Sequence, residues 1–156
     1  MKAKLLDDLD LVTTTMRHRR IWPSISDDGS PAREAFQASP SLTYLGMFEG
    51  HEYLGLFVLH QHNAIMWEVH TCLLPSAWGS RAQACAKLCV EWIFDNTECR
   101  RLITSVPVGN ALAERLAGAA GMVRYGTNPR SFLKNGQELD QIMLGISKGA
   151  TCQPQQ

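Results

Sequence analysis

The stretch from Glu68 to Ala86 holds residues whose types and spacing could do chemistry. A strand-like run carrying Glu68 leads to a bend at Pro75, and Gly79 then precedes a helical pattern that begins at Ser80. Backbone N–H groups in the first turn of a helix have no intrahelical partner and, with the helix dipole, favour an anion such as a phosphate group. We therefore expect Gly79 and the amides after it to form an anion cradle.

Glu68 is the best candidate for a general base on this stretch. An otherwise apolar setting can raise the pKa of a carboxyl group toward neutrality, where proton transfer is efficient. The alternative is a carboxylate that orders a loop or pairs with an arginine. The residues by themselves leave both interpretations open.

Hydrophobic spacing predicts the elements that must position these residues. Apolar residues at helical spacing alternate with strand-like runs, and short polar turns separate three consecutive strands. The predicted order is a helix over 5–20 stopped by Trp22-Pro23, a long loop with a helical turn near 32–37, strands over 43–74 with turns at 49–52 and 61–64, a helix over 80–94, a strand over 101–106, a helix from Asn110 through Ala119, and closing strands in MVRYG, RSFLK and DQIMLGIS. This order predicts a mixed α/β sheet with helices packed on its faces.

Length and charge limit the class of protein. With 156 residues, the chain fits one domain, predicted over 1–148, followed by a flexible tail over 149–156. Fifteen basic and fifteen acidic side chains give zero formal charge, which excludes an electrostatic surface for nucleic acid or an anionic membrane. No apolar run is long enough to span a bilayer, so a cytoplasmic location is expected. Monomer and homodimer remain equally open.

Cysteine and histidine spacing only weakly indicates a metal site. The five cysteines include no CxxC pair, which argues against a disulfide scaffold or a zinc ribbon. His60 and His62 would share one face of a strand, and His70 lies on the next strand. A metal site is conceivable there, but no carboxylate-rich ligand pattern accompanies the histidines.

Four motifs in order resemble the GNAT acyltransferase superfamily, in particular the branch that acetylates ribosomal-protein N-termini. The run from Glu68 to Ala86 is similar to that branch's strand, bend and glycine loop, with WGSR at 78–81 matching a WGKG-like tetrapeptide. The spacing from Asn110 to Gly121 and the segment NGQELD at 135–140 also match. The resemblance covers roughly residues 42 to 147. It implies a single-domain α/β (α+β) GNAT-like fold with a mixed, mostly antiparallel sheet flanked by helices.

The resemblance implies an N-acetyltransferase that moves an acetyl group from acetyl-CoA to a primary amine, either a protein α-amine or a small amine, without a metal. Glu68 would be the base, and Asn110 would reach the pantetheine arm through its side-chain amide. The backbone of the strand would bind the same arm, and the loop would hold the pyrophosphate. The implied cofactor contacts are Cys72, Leu73, Leu74, Gly79, Ser80, Arg81, Ala82, Gln83 and Asn110.

Several positions depart from the superfamily pattern. Arg81 replaces a glycine and Gln83 a small residue, so the loop is either blocked by bulk or clamped to phosphate by the guanidinium. Ala117 stands where many relatives have a tyrosine that protonates the leaving thiolate. A strand normally precedes the first helix and is expected here to be missing or supplied elsewhere. The short form resembles GNAT-like proteins of tailed bacteriophages, so a non-catalytic phage assembly or host-interaction role is the alternative.

Overall fold

A computed structural model describes residues 1–150. Within these residues, seven strands and four α-helices, with short 3₁₀ turns at Arg33–Ala35 and Pro75–Ala77, make up one domain. In chain order the elements are β1 (Lys2–Leu5), α1 (Leu9–Met16), α2 (Trp22–Ile25), β2 (Thr43–Glu49), β3 (Glu52–Gln61), β4 (Met66–Leu73), α3 (Ser80–Asn96), β5 (Arg101–Pro107), α4 (Ala111–Ala119), β6 (Val123–Lys134) and β7 (Gln137–Ser147). Strands β2, β3, β4 and β5 and helices α3 and α4 lie where the sequence predicts them.

The strands form one mixed sheet in the order β1-β2-β3-β4-β5-β7-β6. All neighbours are antiparallel except β4 and β5, which are parallel. β4 pairs with β3 over seven residues but with β5 over three, ending at Glu68 and Ile103. Beyond Glu68 the edge of β4 that faces β5 therefore has no paired strand within residues 1–150.

Each face of the sheet has its own apolar cluster, because side chains alternate along a strand. On one face Leu45, Phe57 and Leu59 pack with the buried side of α3, including Cys85 and Ile93. The other face packs against α1 and the loop after it; its fully or largely buried members are Val12, Ile21, Ala38, Tyr44, Leu56, Val58 and Cys72. Both faces are thus covered near the centre of the sheet.

The N-terminal prediction is wrong in two respects. The expected missing strand is present: Lys2–Leu5 pairs with β2, from Lys2–Phe48 to Leu5–Leu45. The first helix starts only at Leu9, because Asp8 caps it by accepting hydrogen bonds from the backbone amides of Asp10 and Leu11.

Two further predictions about element ends need correction. Trp22-Pro23 begins the short helix α2 instead of ending a long one, since proline is tolerated in a first turn. The predicted strands MVRYG, from its second residue on, and RSFLK belong to one strand, β6. Its pairing with β7 shifts register twice, between Arg124 and Gly126 and between Asn128 and Phe132. The turn that joins β6 to β7 has positive φ at Asn135 and Gly136, as the NG sequence predicts.

None of the helices in residues 1–150 is both long and apolar enough to cross a lipid bilayer. Of the predicted tail over 149–156, residues 151–156, including Cys152, lie outside the described residues.

Candidate active site

The N-terminus of α3 follows a glycine loop, as the sequence predicts. Gly79 is the residue before the helix and has φ +85°, a conformation that favours glycine. No side chain caps the helix, and Ser80 and Gln83 are exposed, whereas Ala82 packs into the core. Uncapped amides at the start of a 17-residue helix are suited to an anion.

The end of β4 leads directly to this loop. Leu73 and Cys72 point into opposite core clusters, so only their backbone groups can meet a ligand at the strand edge. The Leu74 amide donates to the Leu54 carbonyl at 2.9 Å, and Trp78 Nε1 donates to the Leu73 carbonyl at 3.1 Å. A ligand arm at Leu73 would therefore share that carbonyl with the indole or displace it.

Arg81 lies in the first turn of α3, yet its guanidinium turns toward the β2–β3 turn. Nη2 lies 2.8 Å from Glu49 Oε2 and 2.6 Å from Glu52 Oε2, and Nη1 donates to the Ser76 carbonyl at 2.8 Å. The hydrogen bond to Glu52 is the main reason why the pKa of Arg81 is raised. The side chain thus neither fills the loop nor stands free to clamp a phosphate.

Glu68 sits at the point where β4 and β5 separate, half-buried between two imidazoles. Its Oε1 lies 3.3 Å from His70 Nε2, and its Oε2 lies 2.6 Å from His62 Nε2. The hydrogen bond from His70, ahead of the opposing effect of burial and the further contribution of His62, lowers the pKa of Glu68 to about 2. The predicted apolar setting with a raised pKa is therefore wrong, because the neighbouring strand positions carry histidines.

Residues of β5 and α4 lie across from Glu68, on the other side of the gap that opens where β4 and β5 separate. The Thr104 hydroxyl donates to the Val69 carbonyl at 2.9 Å, bridging the separating strands. Asn110 caps α4, and its Oδ1 accepts from the Ala113 amide at 3.2 Å. Ala117 is buried and brings no hydroxyl. Gly121, after the helix, has φ +91°, as its predicted C-terminal position requires.

Sequence reasoning missed two sets of partners around the predicted site. The ligand atoms of His60, His62 and Glu68 lie within 4.8 Å of one another, whereas the spacing of the histidines does not indicate Glu68 as a partner. The second set is Glu49 and Glu52, which form ion pairs with the guanidinium of Arg81. The alternating polar pattern of His60, His62, Glu68 and His70 was the available signal, since all four belong to one face of two neighbouring strands.

The fold that these elements form is that of the GNAT acetyltransferases. Spermidine N-acetyltransferase from Vibrio cholerae, in complex with CoA and spermine, superposes with a TM-score of 0.77 at 16% identity, covering 94% of this chain and 95% of that chain. Ribosomal-protein-S5-alanine acetyltransferase from Vibrio fischeri gives a TM-score of 0.72 at 16% identity, covering 94% and 92%. At such low identities the likeness is one of fold.

The family is assigned by sequence. A family profile described as a protein of unknown function (DUF2824) matches residues 3–149, and the chain belongs to that family. No curated protein sequence matches the chain.

Proposed function

We propose that this protein is an N-acetyltransferase that moves an acetyl group from acetyl-CoA to a primary amine, on a protein N-terminus or a small molecule. The observation that carries the proposal is the separation of β4 from β5 immediately after Glu68. It opens a strand edge that runs from a carboxylate to the uncapped N-terminus of a long helix. An extended thioester-bearing arm with a pyrophosphate at its far end fits this arrangement.

In this proposal the pantetheine arm lies along β4 at Cys72–Leu74. The pyrophosphate meets the amides of Ser80 and Arg81, after Gly79, because the next two amides of α3 already donate to the Gly79 carbonyl. Asn110 borders the arm from the α4 side. The thioester carbon then lies near Glu68, where the amine attacks it. The carbon–nitrogen bond forms, the tetrahedral intermediate collapses, and the carbon–sulfur bond breaks to release the thiolate.

The proton on the attacking amine needs an acceptor. A carboxyl with a pKa of about 2 stays ionised but is a weak base, so Glu68 is better suited to hold an ammonium group. His70 is the better proton acceptor: if its Nε2–H donates to Glu68 Oε1, its Nδ1 carries the lone pair. Since Ala117 replaces the usual acid, solvent protonates the thiolate.

A second function is favoured by the contacts of Arg81. Glu49 and Glu52 add two negative charges beside one positive charge near the start of α3, which disfavours a pyrophosphate there. In this alternative the chain is a non-catalytic GNAT-fold protein that acts in bacteriophage assembly or host interaction.

Calorimetric titration with acetyl-CoA, and with CoA as the comparison, separates the two functions. Saturable micromolar binding supports the enzyme, and no binding at millimolar cofactor supports the alternative. Acceptor peptides with free α-amines and a set of polyamines would then be tested by mass spectrometry of the acetylated product. This readout does not depend on the protein's own thiols.

Variants assign the roles within the enzyme. His70→Gln should lower kcat by about 100-fold or more, the usual contribution of proton transfer. Glu68→Gln should also lower kcat, because the amine substrate and the His70 imidazole both lose their carboxylate partner. His51→Gln, on the exposed β2–β3 turn, is the matched control and should leave kcat unchanged. The assays should contain a metal chelator, because the nearby ligand atoms of His60, His62 and Glu68 could bind a metal ion and so remove Glu68 from the reaction. Full activity in both site variants would overturn the assignment of Glu68 and His70.

A further inference from the structure

We propose that His60, His62 and Glu68 form a binding site for a divalent transition metal ion such as Zn²⁺. One ligand atom from each side chain lies within 4.8 Å of the other two. The inference concerns binding by these side chains and does not depend on acetyl transfer.

Strand register brings the three side chains together. His60 is the direct cross-strand partner of Glu68 in the β3–β4 pair, and such partners have neighbouring side chains on one face. His62 is two residues further on, so it returns to the same face. Its backbone amide donates to the Met66 carbonyl at 3.0 Å, which fixes the turn on which it lies.

The donor set matches the ion. Two neutral imidazoles and one carboxylate suit Zn²⁺, with bond lengths of about 2.0–2.2 Å, and three protein ligands leave a fourth tetrahedral position open. Tetrahedral ligand atoms at those bond lengths lie about 3.4 Å apart. The His62–Glu68 separation of 2.6 Å must therefore widen, and the exposed ring of His62 can rotate to allow it.

His70 supplies the outer contact that metal sites commonly have. Its Nε2 lies 3.3 Å from Glu68 Oε1, the oxygen that does not face His62. This contact positions the carboxylate, while Oε2 faces His62. An ion bound at Oε2 would also prevent Glu68 from holding an ammonium group.

The test is metal titration of the full chain after removal of any affinity tag. Cys152→Ser is included in every sample, so that this thiol cannot supply the binding. Calorimetry with ZnCl₂ should give one ion per chain with a micromolar or lower Kd. Co²⁺ should develop the strong visible absorption of tetrahedral coordination, a readout that nonspecific surface binding does not give.

Variants identify the ligands. His60→Ala and His62→Ala should each weaken zinc binding by at least about 100-fold, and His70→Gln by about tenfold, the usual effect of losing an outer contact. His51→Ala is the matched control, an exposed histidine outside the cluster, and should bind as the parent does. His60→Gln and His62→Gln repeat the measurement if circular dichroism finds an alanine variant less folded. No saturable binding up to millimolar zinc, or unchanged affinity in the His60 and His62 variants, would overturn the proposal.

Discussion

His62 Nε2 lies 2.6 Å from Glu68 Oε2, and the two side chains belong to opposite sides of the turn that joins β3 to β4. His70, and to a smaller degree this contact with His62, keeps the pKa of Glu68 at about 2, well below its ordinary value of 4.5. A group with a lowered pKa stabilises the folded state above its unfolded value, and the contribution is lost as the pH falls toward the folded value.

The free energy of unfolding should therefore fall between pH 4.5 and about 2 in part because Glu68 becomes protonated. In Glu68→Gln this part of the pH dependence disappears, so the curve of stability against pH should be shallower in that window. Urea unfolding at a series of pH values measures it. Asp95→Asn, at an exposed carboxylate near the end of α3, is the control. Equal slopes for Glu68→Gln and the parent would contradict the role of the two imidazoles.

Freeing Arg81 should strengthen cofactor binding if the start of α3 holds a pyrophosphate. In Glu49→Gln/Glu52→Gln both negative charges near the helix N-terminus disappear and the guanidinium is released, so the Kd for acetyl-CoA should fall severalfold. Stability should change little, because both glutamates are exposed and ion pairs with exposed partners contribute weakly.

The matched control for that experiment is Glu91→Gln/Glu98→Gln, which makes the same charge change at exposed positions toward the other end of α3. Its affinity should equal that of the parent. If the two double variants have the same Kd for acetyl-CoA, then releasing Arg81 does not strengthen binding and Arg81 does not contact the phosphates.

Gly55 of β3 should be irreplaceable, because the end of β4 passes close to it. Its φ is +112°, and a Cβ there would lie 2.5 Å from the Cys72 carbonyl oxygen and 2.7 Å from Leu73 Cα. Gly55→Ala should therefore lower the free energy of unfolding by more than about 2 kcal/mol, since backbone atoms must move. Gly118→Ala, in α4 with open space and an ordinary φ, should be neutral or stabilising by up to about 1 kcal/mol. Urea denaturation compares the two variants. Equal effects on the free energy of unfolding would show that the backbone at Cys72 and Leu73 does not pass close to Gly55.

Asn110 can be tested for two roles at once. Asn110→Ala removes the cap of α4 and should cost about 1 kcal/mol of stability. Asn110→Ser keeps a capping oxygen and should restore most of that stability while lacking the amide. If the amide contacts the pantetheine arm, the serine variant should still bind acetyl-CoA more weakly, by calorimetry. Parental affinity in Asn110→Ser would leave only the capping role.

The sequence indicates the elements well where the pattern is local. The long apolar stripe of α3, the turns on either side of β3 and the caps at Asn110 and Gly121 all depend on residues close in the chain. The opening strand is different. Lys2–Leu5 is short and mostly exposed, and it is a strand because β2 offers an edge to pair with, some forty residues away.

The site divides in the same way. The sequence by itself determines a glycine before a long helix, because positive φ and an uncapped helix start are local properties of Gly79 and its neighbours. Only the tertiary structure decides what surrounds Glu68 and Arg81. Strand pairing puts His60 opposite Glu68, and the β2–β3 turn brings Glu49 and Glu52 to Arg81. The charge state of a side chain depends on neighbours that pairing and packing supply, and residue spacing along the chain does not specify them.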